Sequence, residues 1–95
     1  MEQPSLPAVD MVAKAQLALI HAAVSRPAFG WETVQALMRL WLTTNGVRYR
    51  SAGLEVADVR ASLRMVFRDY VQAIRADNPA EADRFRQAVE PELDA

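Results

Sequence analysis

Few residues of this 95-residue chain are of the types that carry out catalysis. His21 is its only histidine, and the sequence has no cysteine, which excludes thiolate nucleophiles, thiolate metal ligands and disulfides. As a general base or a metal ligand, His21 would need partners from distant parts of the chain. We therefore expect it to be a solvated surface residue, and we expect no bound metal or cofactor.

The serines, acidic residues and glycines also lack the spacing that catalysis or nucleotide binding requires. The serines occupy positions typical of helix caps and helix surfaces rather than of a nucleophile turn. Glu81 and Asp83 stand two apart on a predicted helix and face different ways. No glycine-rich loop leads into a Lys-Ser or Lys-Thr pair. The sequence predicts a non-enzymatic protein, and the enzymatic alternative requires that His21 meet a distant carboxylate.

The chain is nearly neutral, with a net charge of −1, but its charges are segregated. Residues 39–75 carry seven arginines and three acidic residues, whereas acidic residues predominate after residue 75. Three of the arginines recur at every fourth position and repel one another along one helix face. The predicted partner-binding residues are Arg48, Arg50, Arg60, Arg64 and Arg68. They would meet an acidic protein surface or a phosphate backbone, unless the acidic C-terminal helix folds back and neutralises the row.

Nucleic-acid binding is the less favoured of the two partner classes. A domain that binds double-stranded DNA usually carries an excess of positive charge, and this chain has none. A helix-turn-helix motif fits poorly, because about ten residues separate the second and third predicted helices. Glu81 and Asp83 would also place negative charge in the first turn of the fourth helix, facing the phosphates.

Hydrophobic periodicity and helix-ending residues predict four helices. The first runs over about 7–24 with Ser5 as its cap, and the second over about 31–44, where Asn45-Gly46 is typical of a C-terminal stop. The apolar arc of the second helix is unusually wide, so we expect it to be central or to pack against a second copy. The predicted self-association residues are Trp31, Met38, Trp41 and Leu42.

The third helix is predicted over about 54–76, and the fourth runs from Pro79 to about Glu90, where Pro91 stops it. Asn78 caps the fourth helix, and Glu81 is placed to reach back to that cap. Residues 47–53, between the second and third helices, alternate apolar and basic side chains. This alternation predicts an irregular link or a short strand.

Together these features predict an all-α protein, a compact bundle of about four helices in one domain over 1–95, with mobile tails at 1–5 and 91–95. Neither a secretory signal nor an uninterrupted apolar run of about 18 residues is present, so we expect a cytoplasmic protein that does not enter the membrane. Abundant arginine and alanine suggest a GC-rich bacterial genome. We expect a homodimeric, non-catalytic protein-protein interaction module, an adaptor, inhibitor or regulator of bacterial, phage or plasmid origin. A nucleic-acid-associated regulator is the alternative.

Overall fold

Helix-forming residues and helix caps dominate the sequence, and the structure, a computed structural model that describes residues 4–26 and 30–93, is correspondingly helical. Its helices are α1 (Leu6–Val24), α2 (Trp31–Ser51), α3 (Val56–Asp77) and α4 (Pro79–Val89), followed by a 3-10 turn at Glu90–Leu93. No strand occurs in these two ranges. The prediction of an all-α bundle of about four helices is confirmed.

Local capping signals fix where α1 and α4 begin. The Ser5 hydroxyl accepts a hydrogen bond from the Ala8 amide at 3.2 Å, and the Asn78 side chain accepts one from the Glu81 amide at 3.2 Å. Each bond satisfies one of the amides that a helix start leaves without a partner in the helix. Both predicted caps are confirmed. The Glu81 carboxylate does not return to the cap but turns towards α1.

The end of α2 differs from the prediction. The helix continues through Asn45 and Gly46 to Ser51, so residues 47–51 are neither irregular nor a strand. Asn45 and Tyr49 are both buried one turn apart, and this packing outweighs the cost of about 1 kcal/mol for a glycine inside a helix. The chain turns instead at Gly53, whose φ of 97° lies in the left-handed region that glycine tolerates best.

The core forms where α1, α2 and α3 pack against one another and α4 packs on α3. Its largest fully buried apolar and aromatic side chains come from α1, α2 and α4, and phenylalanines of α3 and α4 contact each other with ring centroids 5.7 Å apart. The central members of the core are Val9, Leu17, Met38, Tyr49, Phe67, Phe85 and Val89.

The chain stays ordered beyond Pro91, where a mobile tail was expected. The 3-10 turn packs against α2 and α4, and Leu93 is buried in the core. Proline fits this turn because the position needs no backbone N–H donor. Of the two predicted tails, residues 1–3 and 94–95 lie outside the described residues.

Candidate functional site

A groove runs between the C-terminal half of α2 and the N-terminal half of α3. It has a volume of about 740 Å³, and its lining includes Leu42 and Gly46 of α2 and Val59 and Leu63 of α3. Gly46 has no side chain to fill this space, and a methyl group added there would lie 3.8 Å from the Val59 Cγ1 atom. The groove therefore owes part of its depth to a glycine inside a helix.

Exposed apolar side chains and arginines border the same groove. Val47 and Val56 line it and are 63% and 69% exposed. Arg50, Arg60 and Arg64 also line it. An apolar depression rimmed by polar groups is typical of an interaction surface, and here the rim is positively charged.

The rim arginines differ in how far the chain itself engages them. Arg50 donates to a backbone carbonyl at 3.2 Å and forms a long ion pair at 3.9 Å. Arg64 has an interaction partner within the chain. Arg60 and Arg68 form no ion pair with any residue in 4–26 or 30–93. Positive charge therefore remains available beside the groove.

The acidic residues of α4 are paired elsewhere. Asp83 accepts a hydrogen bond from Arg75 at 2.7 Å, which ties α4 to the last turn of α3. Glu90, in the 3-10 turn that follows α4, accepts one from Arg86 of α4 at 3.3 Å. Asp83 thus neutralises Arg75, which lies outside the predicted row, and among residues 4–26 and 30–93 no acidic side chain pairs with Arg60 or Arg68.

Three of the five predicted partner-binding arginines line the groove. Arg68 lies in a neighbouring depression of about 350 Å³, which shares Arg64 and Leu93 with the groove and so continues it along α3. Arg48 lines neither depression. The fourfold spacing on α3 brings its arginines to one side, while Arg48 and Arg50 point in different directions from α2.

Two of the four predicted self-association residues lie in the core. Met38 and Trp41 are buried, and the Trp41 indole N–H donates to the Ala13 carbonyl of α1 at 3.0 Å. The wide apolar arc of α2 is covered here by the other helices of the same chain, so these two side chains cannot contact a second copy in this fold. Trp31 is exposed, and Leu42 is half-buried in the wall of the groove.

His21 is not the solvated residue expected from the sequence. Its Nε2 lies 2.9 Å from a carboxylate oxygen of Glu81, and its Nδ1 lies 3.0 Å from the Tyr70 hydroxyl. The ring also packs against Phe85, with centroids 4.7 Å apart and the two ring planes tilted by 34°. A carboxylate only accepts hydrogen bonds, so Nε2–H donates to Glu81, and in the neutral ring Nδ1 accepts from the tyrosine. His21 thereby links α1 to both α3 and α4.

Glu81 is the centre of this cluster. The hydrogen bond from His21 holds the pKa of its carboxyl group below the usual range, with smaller contributions from Arg84 and Ser25, while partial burial acts in the opposite direction. The Arg84 guanidinium lies 3.2 Å from its second oxygen. Burial also raises the pKa of the Tyr70 hydroxyl.

Ser25, His21 and Glu81 are the residue types of a catalytic triad, but their hydrogen bonds connect different atoms. The Ser25 hydroxyl donates to the His21 carbonyl at 2.8 Å and approaches Glu81 at 3.3 Å, whereas a nucleophilic serine would contact a ring nitrogen of the histidine. Both ring nitrogens of His21 already have hydrogen-bond partners within the chain. The hydrogen bonds of the cluster connect α1, α3 and α4.

Within 4–26 and 30–93, no cluster of three or more potential ligand residues could hold a metal ion.

Sequence reasoning named a contact of His21 with a distant carboxylate only as the condition of the enzymatic alternative, and it could not identify Glu81 or Tyr70, because these partners are far away in the chain. Glu81 follows His21 by 60 residues, and Tyr70 follows it by 49. The only local signal was the placement of Glu81 at the third position of α4, where a capping function was the simpler interpretation.

The chain matches no protein-family model, no curated protein and no solved structure.

Proposed function

We propose that this chain is a non-catalytic protein-interaction module that binds an acidic, amphipathic segment of another protein in the groove between α2 and α3. The observation that carries the proposal is the combination of exposed Val47 and Val56 with an arginine rim in one depression. Covering these exposed valines with a partner would contribute a favourable free energy of about 25 cal/mol per Å² of apolar surface buried. The rim favours a negatively charged partner through its charge.

The shape of the groove favours a helix as the bound segment. Both walls are helices, and the α3 wall from Val56 to Arg64 is about 12 Å long at 1.5 Å per residue. That length accommodates about two to three turns of a partner helix. Such a helix would place apolar side chains at i, i+4 and i+7 in the groove. Acidic residues on its flank would meet Arg60 and, further along α3, Arg68.

Two synthetic peptides of about 14 residues test this proposal. Both carry leucine at i, i+4 and i+7, and they differ only in having glutamate or lysine at the flanking positions. We expect the acidic peptide to bind with at least tenfold higher affinity, measured by fluorescence anisotropy of the labelled peptide. Equal affinity for the two peptides, or no binding by either, would contradict the proposal.

Matched variants locate the binding site. Arg60→Glu should weaken binding of the acidic peptide about tenfold or more, whereas Arg26→Glu, the same charge change outside the groove, should have little effect. Val47→Gln should also weaken binding. Its control is Met65→Gln, since Met65 is 64% exposed, close to the 63% of Val47, but lies outside the groove. Equal losses in a variant and its control would exclude the groove.

Nucleic-acid association is the second candidate, because Arg60 and Arg68 are available to phosphates. A DNA duplex of about 20 base pairs serves as the probe, and its affinity is measured across a salt series. We expect the acidic peptide to bind more tightly than the duplex at about 150 mM salt. Tight duplex binding with a steep salt slope that Arg68→Ala reduces would favour this second candidate over the first.

A further inference from the structure

The outer face of α1 is apolar although it is exposed. The inner face buries Val9, Ala13, Leu17 and Ile20. On the outer side, Met11 and Leu19 are each 72% exposed. By length and composition alone α1 is apolar enough to cross a bilayer, a property also found in core helices, yet only 22% of its most apolar window is buried within the chain. A helix that is apolar on nearly all sides normally has partners on more than one side.

The exposed positions on this face follow a coiled-coil pattern. They recur at alternating intervals of three and four residues, which is the a/d spacing of a helix that packs along another helix. The α1 seam consists of Ala8, Met11, Ala15, Ala18 and Ala22, all exposed. Four of the five are alanines, which allow two helix backbones to approach closely.

The face extends beyond the seam onto α2. Leu19 lines a shallow apolar depression of about 300 Å³ together with Leu37 and Leu40, and Leu40 is exposed. The 19 residues of α1 are about 28 Å long, and two adjacent helices are about 20 Å wide. The outline of these two helices, about 550 Å², lies just below the roughly 600 Å² per partner at the lower end of standard specific interfaces, which is the range of a weak dimer.

We infer that the α1 seam, together with Leu19 at its edge, binds the same surface of a second copy of the chain in an antiparallel arrangement. Met11 and Leu19 lie four residues on either side of Ala15. A twofold axis at Ala15 therefore packs the Met11 of each copy against the Leu19 of the other, with the small alanines between them. A twofold interface must be complementary to itself, and this symmetry of large and small residues satisfies that condition.

Charge also favours a second copy over other partners. Asp10 and Lys14 are the only aspartate, glutamate, lysine or arginine residues of α1, and they stand one turn apart on one flank, so their charges sum to zero there. A neutral seam does not repel its own copy. Helices that lie on membranes usually carry several basic residues on the flank and large aromatic residues on the apolar side, whereas this seam has one lysine and mostly alanine.

Mass measurement by light scattering at about 10 and 100 µM tests the inference. We expect a dimer that Ala15→Glu dissociates, raising the dissociation constant about 100-fold or more, because two like charges would meet on the axis. Ala61→Glu makes the same change at an exposed alanine of α3 and should leave the dimer intact. Circular dichroism checks that both variants remain helical. A wild-type monomer at about 100 µM, or a dimer that survives Ala15→Glu, would overturn the inference.

The lack of cysteine allows a second, independent measurement. A cysteine near a twofold axis can form a disulfide with its counterpart when the two Cα atoms are about 4.4–6.8 Å apart. Ala15→Cys should therefore cross-link rapidly on mild oxidation, whereas Ala61→Cys should not. Cross-linking at equal rates would overturn the inference, as would flotation of a monomeric wild type with phosphatidylcholine and phosphatidylglycerol vesicles. Neither outcome bears on peptide binding in the groove between α2 and α3.

Discussion

Replacing Asn45 by alanine should change the free energy of unfolding by less than about 1 kcal/mol, although the side chain is fully buried. Its amide nitrogen donates to the Gln16 side chain at 2.7 Å and to the Trp41 carbonyl at 2.9 Å. Its oxygen has no hydrogen-bond partner among the described residues. Asn45 therefore combines two favourable contacts with one unfavourable burial.

The magnitudes of these contributions nearly cancel. Losing two hydrogen bonds costs about 1–3 kcal/mol in total, while removing a buried oxygen without a partner restores about 1–3 kcal/mol. Alanine also favours the helix over asparagine by about 0.5 kcal/mol. The net effect of Asn45→Ala should therefore be small in either direction.

Urea denaturation followed by tryptophan fluorescence measures this change. Leu17→Ala is the control, since Leu17 is also fully buried and its truncation should cost about 2–5 kcal/mol. Asn45→Asp should cost about 3 kcal/mol or more, because it buries a charge without a partner. A loss above about 2 kcal/mol for Asn45→Ala would refute the reasoning.

Three further predictions concern the pH dependence of stability, two glycines and one buried hydrogen bond. The hydrogen bond from His21 lowers the pKa of the Glu81 carboxyl group in the folded chain. The ionised Glu81 therefore stabilises the fold above the ordinary carboxyl pKa of 4.5, and this contribution is lost as the pH falls through the folded-state pKa. The difference in urea midpoint between wild type and Glu81→Gln should therefore shrink in acid, and a difference that does not vary with pH would contradict this. Gly46→Ala should raise the free energy of unfolding by about 1 kcal/mol, because alanine favours the helix and the groove has room for its methyl group. Gly53→Ala should lower the free energy of unfolding by about 1–2 kcal/mol, because Gly53 has a positive φ. Changes of the same sign in thermal denaturation would contradict this argument. Tyr49→Phe removes a hydrogen bond from the buried phenol to Asp10 and should lower the free energy of unfolding by about 1 kcal/mol in urea, while an unchanged value would show that the bond contributes nothing.

The candidate groove could be predicted only in part. The fourfold arginine spacing on α3 identified Arg60, Arg64 and Arg68 as one face, since that relation depends on helix geometry alone. The apolar wall beside them was not predicted, because it requires α2 to continue past Gly46 and to bring Val47 next to α3. In the same way, the exposed apolar side of α1 became apparent only when its inner side had been identified by packing.

The sequence by itself determined the features that depend on neighbours within about four residues. Hydroxyl and amide caps, prolines and apolar periodicity located the starts of α1 and α4 and both ends of α3 to within two residues, because these signals act within one helical turn. The tertiary structure alone decided the length of α2 and the partners of His21. Asn45 and Gly46 form a typical local stop, but burial of Asn45 and Tyr49 against the rest of the bundle stabilises the helical alternative. The pairing of His21 with Glu81 depends on how α1 and α4 cross, and the periodicity of either helix does not specify that crossing.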